Sequence, residues 1–259
     1  MAASILILMA NKNEKDECEI SPYALRAMVN KIQRGLIVSC QAEDGSPFNA
    51  PEFMAAFAMA AELGHAVGVR VRDPENVAAV KKGTKLPVIG LTKGYYKSGM
   101  VLITPTIDDV LALIESGADI VALDATKRTR PGGMSGIEFL RLVKSKIKIP
   151  LVADISTVYE ALAAADVGAD FVATTLSGYT EDSVTTQSLP DFQLIENITS
   201  QTGTPVIAEG RIWVPEQARI AIDHGAYAVC VGTAITRPVA IIERFTASLS
   251  AGKSLRKNK

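Results

Sequence analysis

The chain has 259 residues, 48% of them hydrophobic, enough for one large core, and barrels of alternating strands and helices reach this size as a single domain. A formal net charge of −1 with no basic face excludes nucleic acid as the main partner, because phosphate backbones call for clustered Lys and Arg. Three cysteines, Cys18, Cys40 and Cys230, are too few and too scattered for a disulfide framework or a zinc site, and they fit a reducing compartment.

The N-terminal "ILILMA" is apolar but too short to span a membrane, and no positive region precedes it, so no signal peptide is expected. Residues 1–21 read as a loosely attached extension, 22–250 as the folded domain and 251–259 as a basic, solvated tail. Ser21 and Pro22 open a predicted helix over 22–33. From there one pattern recurs: a short apolar run, a polar loop, an amphipathic helix, a glycine, and another apolar run. The runs are 36–40, 66–70, 87–92, 119–123, 150–154, 170–174, 205–209 and 227–231. Short runs rich in Val and Ile suit parallel strands buried on both faces.

The helices between the runs carry start and stop signals. Asp73-Pro74 predicts a cap followed by a first helical proline, and Thr157 with Glu160 has the spacing of a capping box. Pro51, Pro215 and Pro238 also suit first turns. Gly117, Gly168 and Gly225 each follow a helix and precede a strand, where glycine accepts a left-handed backbone. Eight strands alternating with helices predict an α/β fold of the (β/α)₈ barrel type. A doubly wound open sheet is the alternative, weakened by the lack of G-x-G-x-x-G after the first strand. Residues 93–106 interrupt the pattern with an inserted turn, on the face where barrel active-site loops gather.

Nearly every strand ends in a polar or ionisable group: Gln41, Arg70, Lys93, Asp124, Asp154, Thr174 and Glu209 in order, with Gly232-Thr233 after the eighth. Any one of these could be a structural ion pair at a barrel mouth, but a whole rim of them is a candidate active site. Gly178 and Tyr179, in the loop after the sixth strand, are candidate substrate contacts on that rim. The loops after strands seven and eight supply Gly210, Arg211, Gly232, Thr233 and Arg237, suited to holding a phosphate through close backbone amides, a hydroxyl and guanidinium forks.

The blocks "GLIVSCQ", "LDATKRTRP", "ADIST", "ATTLSGYT", "AEGRI" and "VGTAITRP", spread from Arg34 to Phe245, resemble the N-acetylmannosamine-6-phosphate 2-epimerases. The resemblance implies interconversion of N-acetylmannosamine 6-phosphate and N-acetylglucosamine 6-phosphate in sialic acid catabolism, without a redox cofactor. It implies Lys93 and Glu209 as the catalytic pair, with Gln41, Arg70, Asp154, Arg211 and Arg237 among the substrate contacts. Residues 42–53 and "RVRD" after strand two depart from the family pattern.

The chemistry requires a proton carrier beside carbon 2 and stabilisation of an enolate. A lysine in a partly desolvated site can be brought down towards neutrality, as a general base requires. Lys93 is the expected carrier with Glu209 assisting, and a version with the two on opposite faces of the carbon is the alternative. In an extended strand Glu209 and Arg211 would face the same way, and a bend at Gly210 is the alternative. No metal is expected, since His65 and His224 precede strands and so lie at the opposite end of a barrel. The expected partners are a small sugar phosphate and a second copy in a homodimer, with neither nucleic acid nor membrane, in the cytoplasm. The competing functions are a barrel lyase or aldolase using Lys93 as a Schiff-base nucleophile, and a non-catalytic sugar-phosphate sensor.

Overall fold

The computed structural model describes residues 30–96 and 100–254. The predicted extension 1–21, Cys18, most of the helix expected over 22–33, and the last residues of the basic tail lie outside the described residues. Eight parallel strands close into a barrel. In chain order they are β1 (Leu36–Cys40), β2 (Gly68–Arg72), β3 (Val88–Leu91), β6 (Ile120–Asp124), β7 (Leu151–Asp154), β8 (Phe171–Ala173), β9 (Val206–Glu209) and β10 (Ala228–Val231). Each pairs with the next, and β10 returns to β1. Between β3 and β6 stands a small antiparallel hairpin, β4 (Lys93–Tyr95) and β5 (Val101–Ile103), which is the predicted interruption. The helices are α1 (Pro51–Leu63), α2 (Pro74–Gly83), α3 (Ile107–Glu115), α4 (Gly136–Lys146), α5 (Val158–Val167), α6 (Phe192–Thr199), α7 (Pro215–Asp223), the short α8 (Thr233–Thr236) and α9 (Pro238–Ser254).

Among the described residues the predicted local signals are realised with one exception. Thr157 and Glu160 form their capping box, and Pro51 and Pro215 occupy first turns. Gly117, Gly168 and Gly225 have φ of 94°, 90° and 99°, where an L side chain would be strained. Asp73 is the exception. It stands before α2 at φ 74° and makes no cap hydrogen bond; its carboxylate instead lies 3.1 Å from Arg72 Nε.

Strand alternation divides the core in two. Val38, Val69, Val71, Val121, Leu123, Ala153 and Val172 pack outward with the helices. Ile37, Ile89, Leu91, Ile120, Ala122, Val152, Phe171, Ala173, Ile207, Ala228 and Cys230 form a second buried cluster inside the barrel. Counting in twos from that inner set reaches Ser39 on β1 and Gln41 just past its end, Asp124, Asp154 and Glu209. The barrel floor is thus apolar and its C-terminal mouth polar, which is what positions the site. The second strand corrects the reading by two residues: it runs 68–72 rather than 66–70. Arg70 is therefore mid-strand, paired in register with Ser39 and Ile89, and not a strand end.

Candidate active site

A cavity with about 250 Å³ of room opens at the C-terminal mouth of the barrel. It is lined by Gln41, Arg70, Lys93, Tyr179, Glu209, Gly210, Arg211, Gly232, Thr233 and Arg237 from among the predicted residues, contributed by six separate segments of chain. Four predicted residues do not line it: Asp124, which is buried and paired with Thr126 and Arg128, Thr174, which is bonded to the Glu209 backbone, and Asp154 and Gly178. Asp154 lies beneath Arg70, fully buried, and Gly178 lies behind Arg211. Ser39, Thr175, Trp213 and Cys230 line it as well and were not singled out as site residues. For Ser39 and Cys230 the signal was available: each lies two residues from an inward apolar neighbour, Ile37 and Ala228. Thr175 and Trp213 sit on loops, where no such period exists.

The floor of the polar layer is a network. Arg70 Nη1 and Nη2 donate to the two oxygens of Asp154 at 2.9 and 2.8 Å. Nη1 also lies 3.3 Å from Glu209 Oε2. Thr175 Oγ1 donates to Asp154 Oδ1 at 2.6 Å and is 3.2 Å from Glu209 Oε2. Thr174 fixes the backbone of Glu209 from both sides, its hydroxyl accepting from Glu209 N and donating to Glu209 O. Burial works against a charge on Arg70, but Asp154 and then Glu209 hold it protonated. The Cys230 thiol is pushed well up by burial first and by the Glu209 charge next, so it is a neutral thiol bonded to that carboxylate. The partner that lets a glutamate end strand β9 is thus Arg70, with Thr175 and Cys230.

Arg211 is placed differently from its expected position. Gly210 and Arg211 have φ of 112° and 58°, both left-handed, so the chain turns sharply after Glu209 and the extended-strand relation is lost. Arg211 Nε donates to Leu189 O at 2.7 Å and Nη1 to Ser177 O at 2.6 Å, and its guanidinium lies over the Tyr179 ring. It ties the loop after β8 to the loop after β9.

Lys93 opens the hairpin that stands over the mouth. Among the described residues no side chain or carbonyl holds its amine by a hydrogen bond or ion pair. Burial first, then the charges of Arg237, Arg72 and Arg70, bring that amine down from 10.5 to about 8, while Glu209 opposes the fall. Gln41 donates to Ser39 Oγ at 2.8 Å. Arg237 Nε lies 3.7 Å from Glu43, in the atypical loop after β1, and Arg72, from the atypical "RVRD", lies 3.3 Å from Asp44 of the same loop. No group of three or more His, Cys, Asp or Glu among the described residues is placed to hold a metal. His224 is at the other end of the barrel, stacked on Phe192.

The pattern of one protein family, described as "Putative N-acetylmannosamine-6-phosphate epimerase", matches residues 54–251. The chain belongs to the N-acetylmannosamine-6-phosphate epimerase family. A relative from Caldanaerobacter subterraneus subsp. tengcongensis, named as a 2-epimerase of that sugar phosphate, is 51% identical over 219 residues, 84% of this chain and 92% of its own. Another with the same name from Cutibacterium acnes is 44% identical over 224 residues, 86% of this chain and 96% of its own. The solved N-acetylmannosamine-6-phosphate 2-epimerase of Clostridium perfringens superposes with a TM-score of 0.80 at 40% identity, covering 85% of this chain and 95% of that one. At 18% identity and a TM-score of 0.55, a thiamine phosphate pyrophosphorylase of Pyrococcus furiosus shares the fold alone. A member of this epimerase family is an isomerase, and the cavity at the barrel mouth is where its ionisable groups converge.

Proposed function

We propose that the protein interconverts N-acetylmannosamine 6-phosphate and N-acetylglucosamine 6-phosphate in sialic acid breakdown, by removing the proton on carbon 2 and returning one to the opposite face. The observation that carries this reading is Lys93. Its amine is brought to about 8, without a hydrogen bond among the described residues, at a cavity that Glu209 and Arg70 also line, with Asp154 bonded behind Arg70. An amine of that basicity can take a proton at neutral pH and give it back.

In this reading Lys93 carries the proton at carbon 2. Glu209, held in place by Arg70 and Thr175, assists at the sugar oxygens as the ring opens and the enolate forms. Arg70 keeps a positive charge beside the position where negative charge develops, an arrangement that needs no reorganisation during the reaction. Gln41 and Tyr179 both line the cavity and suit the hydroxyl and N-acetyl groups. Gly210, Gly232, Thr233 and Arg237 supply the phosphate end, with Thr233 opening helix α8. The reading needs no cofactor. A phosphorylated substrate and the free thiols of Cys40 and Cys230 fit a cytoplasmic setting, and no helix among the described residues is long and apolar enough to cross a membrane.

The phosphate assignment is tested with two sugars and two enzymes. Arg237→Ala removes charge-assisted hydrogen bonds worth ~1.5–3 kcal/mol net, or roughly 10- to 150-fold in kcat/KM for the phosphorylated sugar. Unphosphorylated N-acetylmannosamine should be a poor substrate and lose much less on the same change. Equal losses for both would make Arg237 structural. Borohydride with substrate should trap no adduct on Lys93; a trapped lysine would support the Schiff-base lyase instead.

A further inference from the structure

The Lys93 amine has no hydrogen-bonding partner among the described residues, so its position is set by the backbone that carries it. That backbone is the β4–β5 hairpin, where Lys93 pairs with Ile103. Thr104 follows Ile103 at φ 45°, a conformation that a β-branched residue rarely adopts. It is fully buried and anchored on four sides. Its N–H donates to Thr92 O at 3.0 Å, and its hydroxyl accepts from Thr92 N at 3.2 Å. The same hydroxyl donates to Ala122 O on β6 at 2.6 Å. Its carbonyl accepts from Arg130 Nη1 at 2.9 Å.

Arg130 belongs to the "LDATKRTRP" block, whose role the cavity does not explain. It is 3% exposed and lines no part of the cavity. Its Nη2 donates to the carbonyl of Asp124 at the end of β6, and its guanidinium lies 4.2 Å from the Phe139 ring centroid of α4. Its Nε is buried without a hydrogen-bond partner among the described residues. Among the described residues no carboxylate forms a salt bridge with this guanidinium. A buried guanidinium spent on two backbone carbonyls is costly to keep, as is a left-handed threonine, and the two meet at the base of one hairpin.

We propose that Thr104 and Arg130 are positioning residues that lock the base of the β4–β5 hairpin and so hold the Lys93 amine at one depth over the cavity. The role rests on the reading of Lys93 as proton carrier. Thr92 and Thr104 zip the two hairpin strands together immediately before Lys93 and after its partner Ile103. The Thr104 hydroxyl and carbonyl then fasten that zipped end to β6, directly and through Arg130. A looser base would let the amine swing away from Arg237, Arg72, Arg70 and Glu209, the charged groups that surround it.

The test compares Thr104→Val, which keeps the branched shape and removes the hydroxyl, with Thr104→Ser, which keeps the hydroxyl. For Thr104→Val we expect kcat to fall ~10- to 100-fold, the size of loss that misplacement by about 1 Å produces. KM should change by less than ~3-fold, and Thr104→Ser should recover most of the loss. Nitrogen NMR of the Lys93 amine should show its titration moving up in Thr104→Val as water reaches it. In a Lys93→Ala background, Thr104→Val should cost nothing further. Parental kcat and an unmoved Lys93 titration in a folded Thr104→Val protein would overturn the proposal, as would losses that multiply in the double variant. Normal turnover in Lys93→Ala alone would instead overturn the role of Lys93, and the titration in Thr104→Val would still report whether the clasp sets the amine's place.

Discussion

Lys93 is held near neutrality by exclusion of water and by three surrounding arginines, and this arrangement costs stability while the amine is protonated. Its value in the folded chain, about 8, lies below the 10.5 of a free lysine. Between those values the folded state binds fewer protons than the unfolded state, so stability rises with pH across that window. The cost is complete below about pH 8. Lys93→Met should therefore be more stable than the parent at pH 7, by on the order of 1–3 kcal/mol, with the difference shrinking as pH rises towards 10.5. Paired chemical denaturation curves at several pH values measure this. In the parent, kcat/KM should climb through an inflection near pH 8, and Lys93→Ala should lose ~10²–10⁴ in rate. A stability difference independent of pH would show that Lys93 is not held as described. Lys93 and Glu209 could be picked out because their residue types end apolar runs. The Arg70–Asp154 pair could not, since its members stand 84 residues apart and only barrel closure brings them together.

At the scale of elements, the turn after β9 decides how the rim is built. The apolar run of "IAEGRI" ends at Glu209 as expected, and Gly210 at φ 112° turns the chain there, with Arg211 following in the left-handed region. What the sequence could not show is that Arg211 has its own carbonyl partners at Ser177 and Leu189, which compensate for that backbone. The two-residue displacement of β2 has a similar origin. "AVGVRVRD" has two arginines in its second half, and ordinary burial preferences end the strand at the first of them. They are tolerated because Asp154 pairs with the first and Asp44 and Asp73 with the second. The other strands and capped helices were legible because each carries its own period, glycine stop or cap. Arg211→Ala should loosen the loop 177–189 while leaving the barrel intact. Hydrogen exchange should speed up in that segment, KM should rise more than kcat falls, and the melting temperature should change little. Unchanged protection across 177–189 would mean that Arg211 does not anchor it.

At the scale of the whole molecule, the sequence carried the barrel because eight repeats of one pattern leave few ways to close, and it carried the family because the strand-end blocks recur in order. Helix α9 is a different matter. It leaves Ile242, Phe245 and Leu249 exposed at 60%, 69% and 74%, a stripe that water covers poorly. A second copy of the chain is the proposed cover, and light scattering should give twice the mass of 27.5 kDa. Phe245→Glu should reduce that mass to one chain, and a monomeric parent would contradict the homodimer. The central claim, however, is that this barrel moves a proton at carbon 2. It is tested most directly by proton NMR of N-acetylmannosamine 6-phosphate turning over in heavy water. The account predicts that N-acetylglucosamine 6-phosphate forms with deuterium at carbon 2; product that keeps all of its original hydrogen there would contradict it.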